Sequence, residues 1–266
     1  MKSAWRLVRL YARLQLLHIR IHMEYRLDFW IGNVGMVLRQ LATFIFIWAL
    51  FSTIPEIEGW TLWEVAFLYG LIVTPQGLVE LFGEGPWRLR WLIYTGRFDL
   101  ILTRPLSPVY QVFTQASGVH GLGNALLGLA VMSYALTQLG ISWQTGHSIY
   151  LGLILLSSTI LFASINLMTH SIAFWDPSST SSFPYLIASL NDFAKFPVTL
   201  FGSVFQFLFT WILPFAFISY YPALLLLNRP ESSALSYVAP LSGWLAALVA
   251  SSVWRWAMRH YQGVGH

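Results

Sequence analysis

Residues 149–175 read IYLGLILLSSTILFASINLMTHSIAFW and contain no lysine, arginine, aspartate or glutamate. A helix needs about 20 apolar residues to cross the hydrocarbon core of a bilayer, so this stretch is long enough to span one. The rest of the 266-residue chain has the same character, because 56% of its residues are hydrophobic and only 10% are charged. Soluble domains carry about 25% charged residues. The sequence therefore predicts an all-α protein that crosses a membrane several times.

Four other stretches are also long and apolar enough to cross a membrane. They are residues 29–52, 62–82, 112–136 and 237–258. Aromatic residues make up 17% of the chain, with thirteen tryptophans. Tryptophan and tyrosine are enriched at the two membrane–water interfaces, so this abundance agrees with a multi-pass protein.

A sixth crossing is expected within residues 176–236, which are too long for one span. Four prolines interrupt this segment: Pro184, Pro197, Pro214 and Pro222. One interpretation places a fifth span at 182–200, followed by two short broken helices that enter from the outer side. The other places an interfacial helix first and the span at 198–220. Irregular backbone at membrane depth needs protein or a water-filled cavity around it, so the segment suggests a pathway or a gate. Two loops and a kinked helix would give the same pattern.

Residues 1–28 are rich in arginine and lack the apolar core and the small-residue cleavage site of a signal peptide. On a helical wheel, five basic residues fall within about 60° of one another. They are Lys2, Arg6, Arg9, Arg13 and Arg20. This pattern predicts an amphipathic interfacial helix whose basic face meets anionic lipid headgroups. A solvated arm before the first span is the alternative. Residues 29–266 are then expected to form a single transmembrane domain.

The positions of the basic residues predict the orientation. All but three of the fifteen lysines and arginines lie before residue 29, between residues 83 and 110, or after residue 254. The exceptions are Arg39 in the first span, and Lys195 and Arg229, which are expected on or near the outer side. Because lysine and arginine favour the cytoplasmic side of a membrane, both termini are predicted to be cytoplasmic.

Arg39 is the least usual residue of the predicted spans, because a charge inside a membrane helix is costly and normally faces protein or water. Gln40 is its neighbour, and Glu80 lies near the inner end of the second span. We expect these three residues to line a pathway or a contact between subunits. A structural Arg39–Glu80 pair, or an arginine that reaches toward the inner headgroups, is the alternative.

The loop after the second span reads GEGPWRLRWLIYTGRFDLILTRPLSPVYQVF at residues 83–113. Apolar residues mixed with arginines at 87–93 predict a short amphipathic helix, which Gly96 ends. Arg97, Asp99 and Arg104 are expected to be exposed charges, and two prolines prevent the chain from extending that helix. A rigid, charged element between two spans suits docking on a soluble partner. Simple anchoring by positive charge is the alternative.

Motifs for several kinds of chemistry are absent from the sequence. It has no GxxxxGK[ST] phosphate-binding loop, so the chain is not expected to bind ATP in the usual way. It also has no HExxH motif and no GxSxG motif. It has no cysteine, and its seven histidines lack metal-ligand spacing. Four small residues on one helix face, Gly118, Gly121, Ala125 and Gly128, predict close helix packing.

Residues 95–110, TGRFDLILTRPLSPVY, resemble the signature G-x-x-D-x-x-L-x-R-P-x-S-P of a bacterial subfamily of type-2 ABC exporter permeases. The matching residues are Gly96, Asp99, Leu102, Arg104, Pro105, Ser107 and Pro108. Other runs extend the resemblance over nearly the whole chain: EYRLDFWIGNVGMVLRQLATFIFIWALF, GWTLWEVAFLYGL, FAKFPVTLF, LPFAFISYYPALLLL and WRWAMRHYQGVG. The sequence departs from the pattern at residues 176–182, DPSSTSS, where a basic residue is usual. This departure weakens the second cytoplasmic loop as an ATPase contact.

The resemblance implies six transmembrane helices, an N-terminal interfacial helix and broken helices before the last span that form an outer gate. It implies a permease in a bacterial inner membrane that pairs with an identical or related permease. The pair would dock on two copies of a separate ATPase, which would hold the ATP and magnesium, so this chain would be neither an enzyme nor a cofactor-binding protein.

The resemblance also suggests roles for particular residues. The loop at 84–110 would couple the permease to the ATPase through Arg88, Arg90, Arg97, Asp99, Arg104 and Pro105. In such an assembly, the pathway or subunit contact already expected from the charge in the first span would involve Arg39, Gln40 and Glu80. The partners are thus an ATPase, a second permease and membrane lipid, with no nucleic acid.

Two other classes of function remain open at this point. An ion-driven secondary transporter often has inverted repeats and paired carboxylates in the membrane. The sequence shows no repeat, and Glu64, Glu80 and Asp192 do not cluster along it. A membrane scaffold subunit without transport of its own is the other alternative. No short motif indicates a substrate.

Overall fold

The computed structural model describes residues 2–24, 26–141, 144–176 and 182–263. Within these ranges the regular structure is helical except for one antiparallel hairpin of strands β1 (Glu56–Ile57) and β2 (Trp60–Thr61). The first helices are α1 (Lys2–Glu24), α2 (Arg26–Thr53), α3 (Leu62–Gly83), α4 (Leu89–Tyr94), α5 (Arg97–Leu102) and α6 (Pro108–Phe113). The others are α7 (Gly121–Leu139), α8 (Thr145–His170), α9 (Phe183–Leu190), α10 (Ser203–Phe207), α11 (Tyr220–Leu226) and α12 (Ala234–Met258).

Five of these helices are long and apolar enough to cross a membrane: α2 from Phe29, α3, α7, α8 with its extension to Phe174, and α12. The predicted multi-pass helical fold is therefore confirmed. The predicted start of the third span at residue 112 is wrong, because α6 ends at Phe113 and α7 begins only at Gly121. Between them, the backbone N–H of Gly118 donates to the carbonyl of Glu80 (2.9 Å), which holds the connection against the end of α3.

Helix α3 is the centre of the bundle, with 72% of its membrane window buried. It packs closely on α7, because Gly77 and Gly121 face one another. A Cβ atom at Gly77 would lie 2.3 Å from the backbone nitrogen of Ala125, and one at Gly121 would lie 2.4 Å from the carbonyl oxygen of Gly77. The predicted small-residue face is confirmed for α7. Gly118 instead precedes the helix and lies against the side chains of Glu84 and His120.

The two ends of the bundle differ. We call the end formed by α1, the C-terminus of α3 and residues 84–113 the basic end, and the end that carries β1 and β2 the hairpin end. Helix α1 is docked on the basic end: the Gln15 amide donates to the carbonyls of Phe82 and Phe113 (both 3.3 Å). The Tyr110 hydroxyl donates to the Leu7 carbonyl (2.9 Å). The described arginines of α1 remain exposed on its other face.

Helices α8 and α12 lie side by side and run in the same direction. The Tyr150 hydroxyl donates to the Ser236 carbonyl near the start of both helices. The rings of Trp175 and Trp256 lie 4.7 Å apart near the end of both. Because α8 and α12 run in the same direction, the chain must return from the end of α8 to the side of the bundle where α12 begins. Residues 171–233 make this return and cross the bundle once.

This return proceeds through short helices. The Tyr185 ring lies 5.1 Å from that of Trp87 at the basic end, and the Tyr220 ring lies 5.9 Å from that of Trp60 at the hairpin end. After α9 the chain forms 3-10 turns, and residues 203–212 and 215–226 then form a pair of helices bent by 75°.

The predicted broken helices before the last span are therefore present, and the bent pair fits either interpretation of residues 176–236, as one broken span or as two helices that enter from one side. The predicted continuous span at 182–200 is not formed, because α9 ends at Leu190. Residues 177–181 of the DPSSTSS departure lie outside the described ranges.

Candidate coupling surface and internal cavity

The loop after α3 folds as three short helices that are fixed to the bundle. Gly96 separates α4 from α5 with a φ of 70°, a left-handed conformation that glycine adopts without a steric cost. The apolar sides of α4 and α5 are buried, with Leu89 and Phe98 fully inaccessible. The Phe98 ring lies 5.3 Å from that of Phe174 after α8, which in turn lies 5.1 Å from Trp254 of α12. The loop is therefore packed against the ends of α8 and α12.

The outer side of this loop combines basic and apolar groups. We define the loop surface as Trp91, Tyr94, Arg97, Leu100, Arg104 and Pro105, all of which are exposed. The Arg97 guanidinium lies 4.6 Å from the centroid of the Trp91 ring. Tyr94 is 66% exposed and Leu100 is 59% exposed. Exposed aromatic residues and arginine are the residues that protein interfaces favour.

The other predicted coupling residues occupy different environments. Arg88 is exposed, whereas Arg90 is half-buried in a small cleft beside His170 and Tyr185. Burial, together with Arg88, lowers the pKa of His18 on α1.

Asp99 is not the exposed charge that the sequence predicted, because it is half-buried and accepts a hydrogen bond from the Tyr261 hydroxyl (2.8 Å). Burial and the neighbouring Asp99 carboxylate raise the pKa of Tyr261. Asp99 therefore connects α5 to the segment after α12.

A cavity of about 450 Å³ lies between α2, α3, α8 and α9. It extends from Trp87 at the basic end to Phe215 in the bent helix pair. Its charged lining residues are Arg39, Glu80, Glu84 and Asp192. The wall on α8 is mainly apolar, with Phe162 and Ile165. A cavity of this size and mixed lining is typical of small-molecule sites.

Arg39 and Glu80 line this same cavity but do not bind one another. Glu80 accepts hydrogen bonds from the amides of Gln76 (3.0 Å) and Asn124 (2.6 Å). Among the described residues, the ion pairs within 4.0 Å are His120–Glu84, Lys195–Asp192 and Arg229–Glu64. The alternative of an Arg39–Glu80 pair is therefore wrong.

Gln40 differs from its neighbour, because its side chain is 1% exposed and lies behind the cavity wall. The Tyr69 hydroxyl donates to its backbone carbonyl (2.9 Å) and to its side-chain Oε1 (3.0 Å). Gln40 thus joins α2 to α3.

Lys195 is a residue whose burial the sequence reasoning did not predict, because its side chain lies inside the bundle. Its Nζ donates to Asp192 Oδ1 (2.7 Å) and lies 3.5 Å from Gln40 Oε1. The sequence does contain a pattern that indicates this pair: an aspartate stands three residues before the lysine in an apolar stretch, and residues at this spacing meet on a helical turn.

The carboxylates also cluster more than the sequence indicated. Glu80 and Asp192 line the same cavity, joined by Glu84. Burial raises the pKa of Glu84, and His120, with Nε2 3.9 Å from the carboxylate, opposes that rise. Within the described residues, no group of three histidine, aspartate or glutamate side chains is arranged to hold a metal ion.

Glu64 belongs to a separate cluster at the hairpin end. Arg229 Nη2 donates to Glu64 Oε2 and to the carbonyl of Gly59, both at 2.7 Å. Its guanidinium lies 4.5 Å from the centroid of the Trp60 ring. The turn before α12 is therefore tied to the hairpin and to the start of α3.

Comparison with known proteins identifies a family. The model of the family described as ABC-2 family transporter protein matches residues 37–265. No curated protein and no solved structure matches the chain significantly. The matched region includes the second half of α2, the other four helices that can cross a membrane, the loop surface and all of the cavity lining except Met36. The chain belongs to the ABC-2 family of transporter proteins, and it is a permease subunit of an ABC transporter.

Proposed function

We propose that this permease works in an exporter and that a separate ATPase chain docks on the loop surface. The observation that carries the proposal is the construction of the loop, which has an exposed basic and aromatic side and an inner side packed on the ends of α8 and α12. Such an element converts a movement of its partner into a movement of two membrane helices. The loop would couple a conformational change of the ATPase to one of the permease, and it would have no catalytic role.

The partner ATPase would bind ATP and magnesium, and this chain would hold no cofactor. Two ATPase copies would act on two permeases, identical or related, in a bacterial inner membrane. Arg97, Arg104 and Pro105 would contact the ATPase directly. Arg88 and Arg90 would support the contact near α1 and α9, and Asp99 would hold the loop against Tyr261.

The cavity is the proposed substrate path, with Arg39 and Glu80 in its wall. Gln40 would position α2 against α3 without touching the substrate. The bent pair at 203–226 would form the gate at the hairpin end, held by the contacts of Arg229.

A pull-down of the tagged chain from its native membrane in mild detergent tests the docking site. The Arg97→Glu/Arg104→Glu variant is compared with a matched control, Arg255→Glu/Arg259→Glu, which reverses two exposed charges at the same end of the bundle but outside the loop. Mass spectrometry should find an ABC ATPase with the wild type and the control, but not with the loop variant.

Two results would contradict the proposal. An ATPase that is retained by the loop variant would show that docking occurs elsewhere. A wild-type sample without any ATPase, in detergent that preserves other ABC transporters, would favour an ion-driven transporter or a scaffold subunit.

The proposed orientation has a separate test, because the chain has no cysteine. Single cysteines at Glu58 in the hairpin and at Thr103 in the loop are both at exposed positions. A membrane-impermeant maleimide added to intact cells should label Glu58→Cys. It should label Thr103→Cys only after the membrane is opened. The reverse pattern would invert the orientation and place the loop away from any cytoplasmic ATPase.

A further inference from the structure

We infer that His18 makes the docking of helix α1 on the basic end dependent on pH, so that α1 is held at neutral pH and released when the solution at that end becomes acidic. The inference concerns regulation of the permease and goes beyond the proposed function. The docking of α1 requires no ATPase, so it can be measured on the purified chain separately from the proposed coupling.

Helix α1 meets the bundle through a polar stripe. Spacings of four, three and four residues place its members on one helix face: Tyr11, Gln15, His18 and His22. The Phe82 carbonyl accepts hydrogen bonds from the Tyr11 hydroxyl and the Gln15 amide. Neither buried apolar cluster of the described bundle includes a residue of α1. Hydrogen bonds that replace bonds to water contribute only about fivefold each to an equilibrium constant, so one unfavourable charge can shift this equilibrium.

His18 lies in this stripe with one ring nitrogen shielded from water. Its Nδ1 is buried and has no hydrogen-bond partner among the described residues. A neutral imidazole can leave this nitrogen without a proton, whereas the protonated ring carries an N–H on both nitrogens. Protonation of His18 in docked α1 would therefore create a buried donor without an acceptor, which is unfavourable.

The surroundings of His18 also favour its neutral form. Burial, together with the nearby Arg88 and His22, lowers the pKa of His18 below the ordinary value of 6.5. An undocked α1 would restore the ordinary pKa, so the undocked helix binds the proton more readily than the docked one. Docking is therefore strongest above pH 6.5 and weakens as the pH falls from there toward the lowered pKa of the docked helix.

The other described titratable groups beside α1 do not reverse this direction. A cleft of about 400 Å³ has four of them in its lining: His22, Glu84, Arg88 and His120. A proton gained by His22 or His120 is opposed by the Glu84 carboxylate, which both histidines influence. Burial raises the pKa of Glu84, so this carboxylate loses its charge at a higher pH than usual. Its neutralisation would leave Arg88 and a protonated His18 with less compensation.

The remaining groups of the contact do not titrate in this pH range or lie behind it. Burial raises the pKa of both Tyr11 and Tyr110 above the ordinary value of 10.0, so both hydroxyls stay protonated. Glu80 lies behind Glu84 and accepts hydrogen bonds from the amides of Gln76 and Asn124. Of the described groups, His18 is thus the one whose protonation directly opposes docking.

Release would change the support of the loop without removing α1 from the membrane. The arginines of its other face are exposed and stay charged: Arg6, Arg9, Arg13 and Arg20. A helix with such a face can lie on lipid headgroups. The Tyr110 hydroxyl of α6 would lose the Leu7 carbonyl as its acceptor. The Phe113 carbonyl at the end of α6 would lose the Gln15 amide. Helix α1 is therefore an acid-sensitive support of α6.

Double electron–electron resonance tests the inference by measuring the distance between spin labels on α1 and on the loop. Leu17→Cys/Thr103→Cys provides two exposed labelling sites in a chain without native cysteine. The labelled chain is diluted with unlabelled chain in nanodiscs of zwitterionic lipid. From about pH 8 to about pH 5.5, the ratio of undocked to docked distances should rise about threefold or more. An unchanged ratio would overturn the inference without any further variant.

Variants of the labelled chain then identify the responsible group. His18→Gln is neutral at both pH values, so it should keep α1 docked and remove the response to pH. The matched control is His260→Gln, which removes an exposed histidine at the same end of the bundle but outside α1 and should respond as the wild type does. His22→Gln should also keep the response. A response that persists in His18→Gln, or that disappears in His22→Gln instead, would contradict the inference.

Arg88→Gln decides the matter if His18→Gln leaves α1 undocked at both pH values. This variant keeps His18 and removes the nearby positive charge, so its response to pH should be smaller than that of the wild type. An undiminished response would overturn the inference. If α1 responds as expected while no ATPase co-purifies with the chain, only the proposed coupling fails.

Discussion

Helices α2 and α3 are both long and apolar enough to cross a membrane, yet only 17% of the α2 window is buried, against 72% for α3. The two helices also differ in how closely their glycines approach a neighbouring helix. Gly77 of α3 faces α7 at a distance that admits no side chain, whereas a Cβ atom at Gly35 of α2 would meet nothing within 4 Å. Without a hydrophobic driving force inside a bilayer, close packing of this kind determines which helices associate.

The polar residues of the two helices show the same contrast. Glu64 and Tyr69 of α3 have hydrogen-bonding partners on other elements, namely Arg229 and Gln40. On α2, Gln40 is buried against α3, while the adjacent Arg39 is exposed toward the cavity and has no ion pair among the described residues. Hydropathy therefore determines whether a helix can cross the membrane. Side-chain contacts determine whether it lies at the centre of the bundle, as α3 does, or in the wall of the cavity, as α2 does.

The largest expected effect tests the close approach of α3 to α7. Gly77→Ala places a methyl group 2.3 Å from the backbone nitrogen of Ala125, so the two helices must separate. We expect a loss of about 1–3 kcal/mol or more in the free energy of unfolding, as for overpacked cores. Unfolding in mixed micelles measures it. A wild-type value for Gly77→Ala would show that α3 is not held by this contact.

The next effect concerns the start of α3. Arg229→Gln removes the ion pair with Glu64, whose two side chains are 18% and 14% exposed. We expect a loss of about 2 kcal/mol, between the values for exposed and for fully buried pairs. A double-mutant cycle with Glu64→Gln isolates the pair, and a coupling energy near zero would show that Arg229 acts through Trp60 and the Gly59 carbonyl instead.

A smaller effect is expected where α2 meets α3. Tyr69→Phe removes the hydroxyl that donates to Gln40 and leaves buried acceptors on α2 without that donor. We expect a loss of about 1 kcal/mol in the free energy of unfolding. Tyr134→Phe, at a side chain of α7 that is 56% exposed, serves as the control. Equal values for both variants would mean that this bond does not hold α2 in place.

These contacts explain which parts of the structure could be predicted. Span length and hydropathy were sufficient for five crossing helices, and the prolines for the broken segment, because these are local properties. The glycine spacing of α7 also predicted its packing face. The spacing of Asp192 and Lys195 is local and could have indicated their pairing, but the burial of Lys195 beside Gln40 depends on the tertiary fold. The cavity likewise combines residues from four helices that only the tertiary fold brings together.

The smallest expected effect is at Gly35 of α2, and it is the one that most sharpens the comparison. Gly35→Ala meets open space, so the only expected change is the better helix propensity of alanine, a gain of about 0.5–1 kcal/mol at most. Unfolding of the purified single chain should show this small gain. If the same variant instead weakens self-association of the chain in membranes, α2 approaches a second permease at Gly35 as closely as α3 approaches α7. The exposed face of α2 would then be an interface between subunits. The lower burial of α2 relative to α3 would then be a property of the single chain and not of the assembled permease.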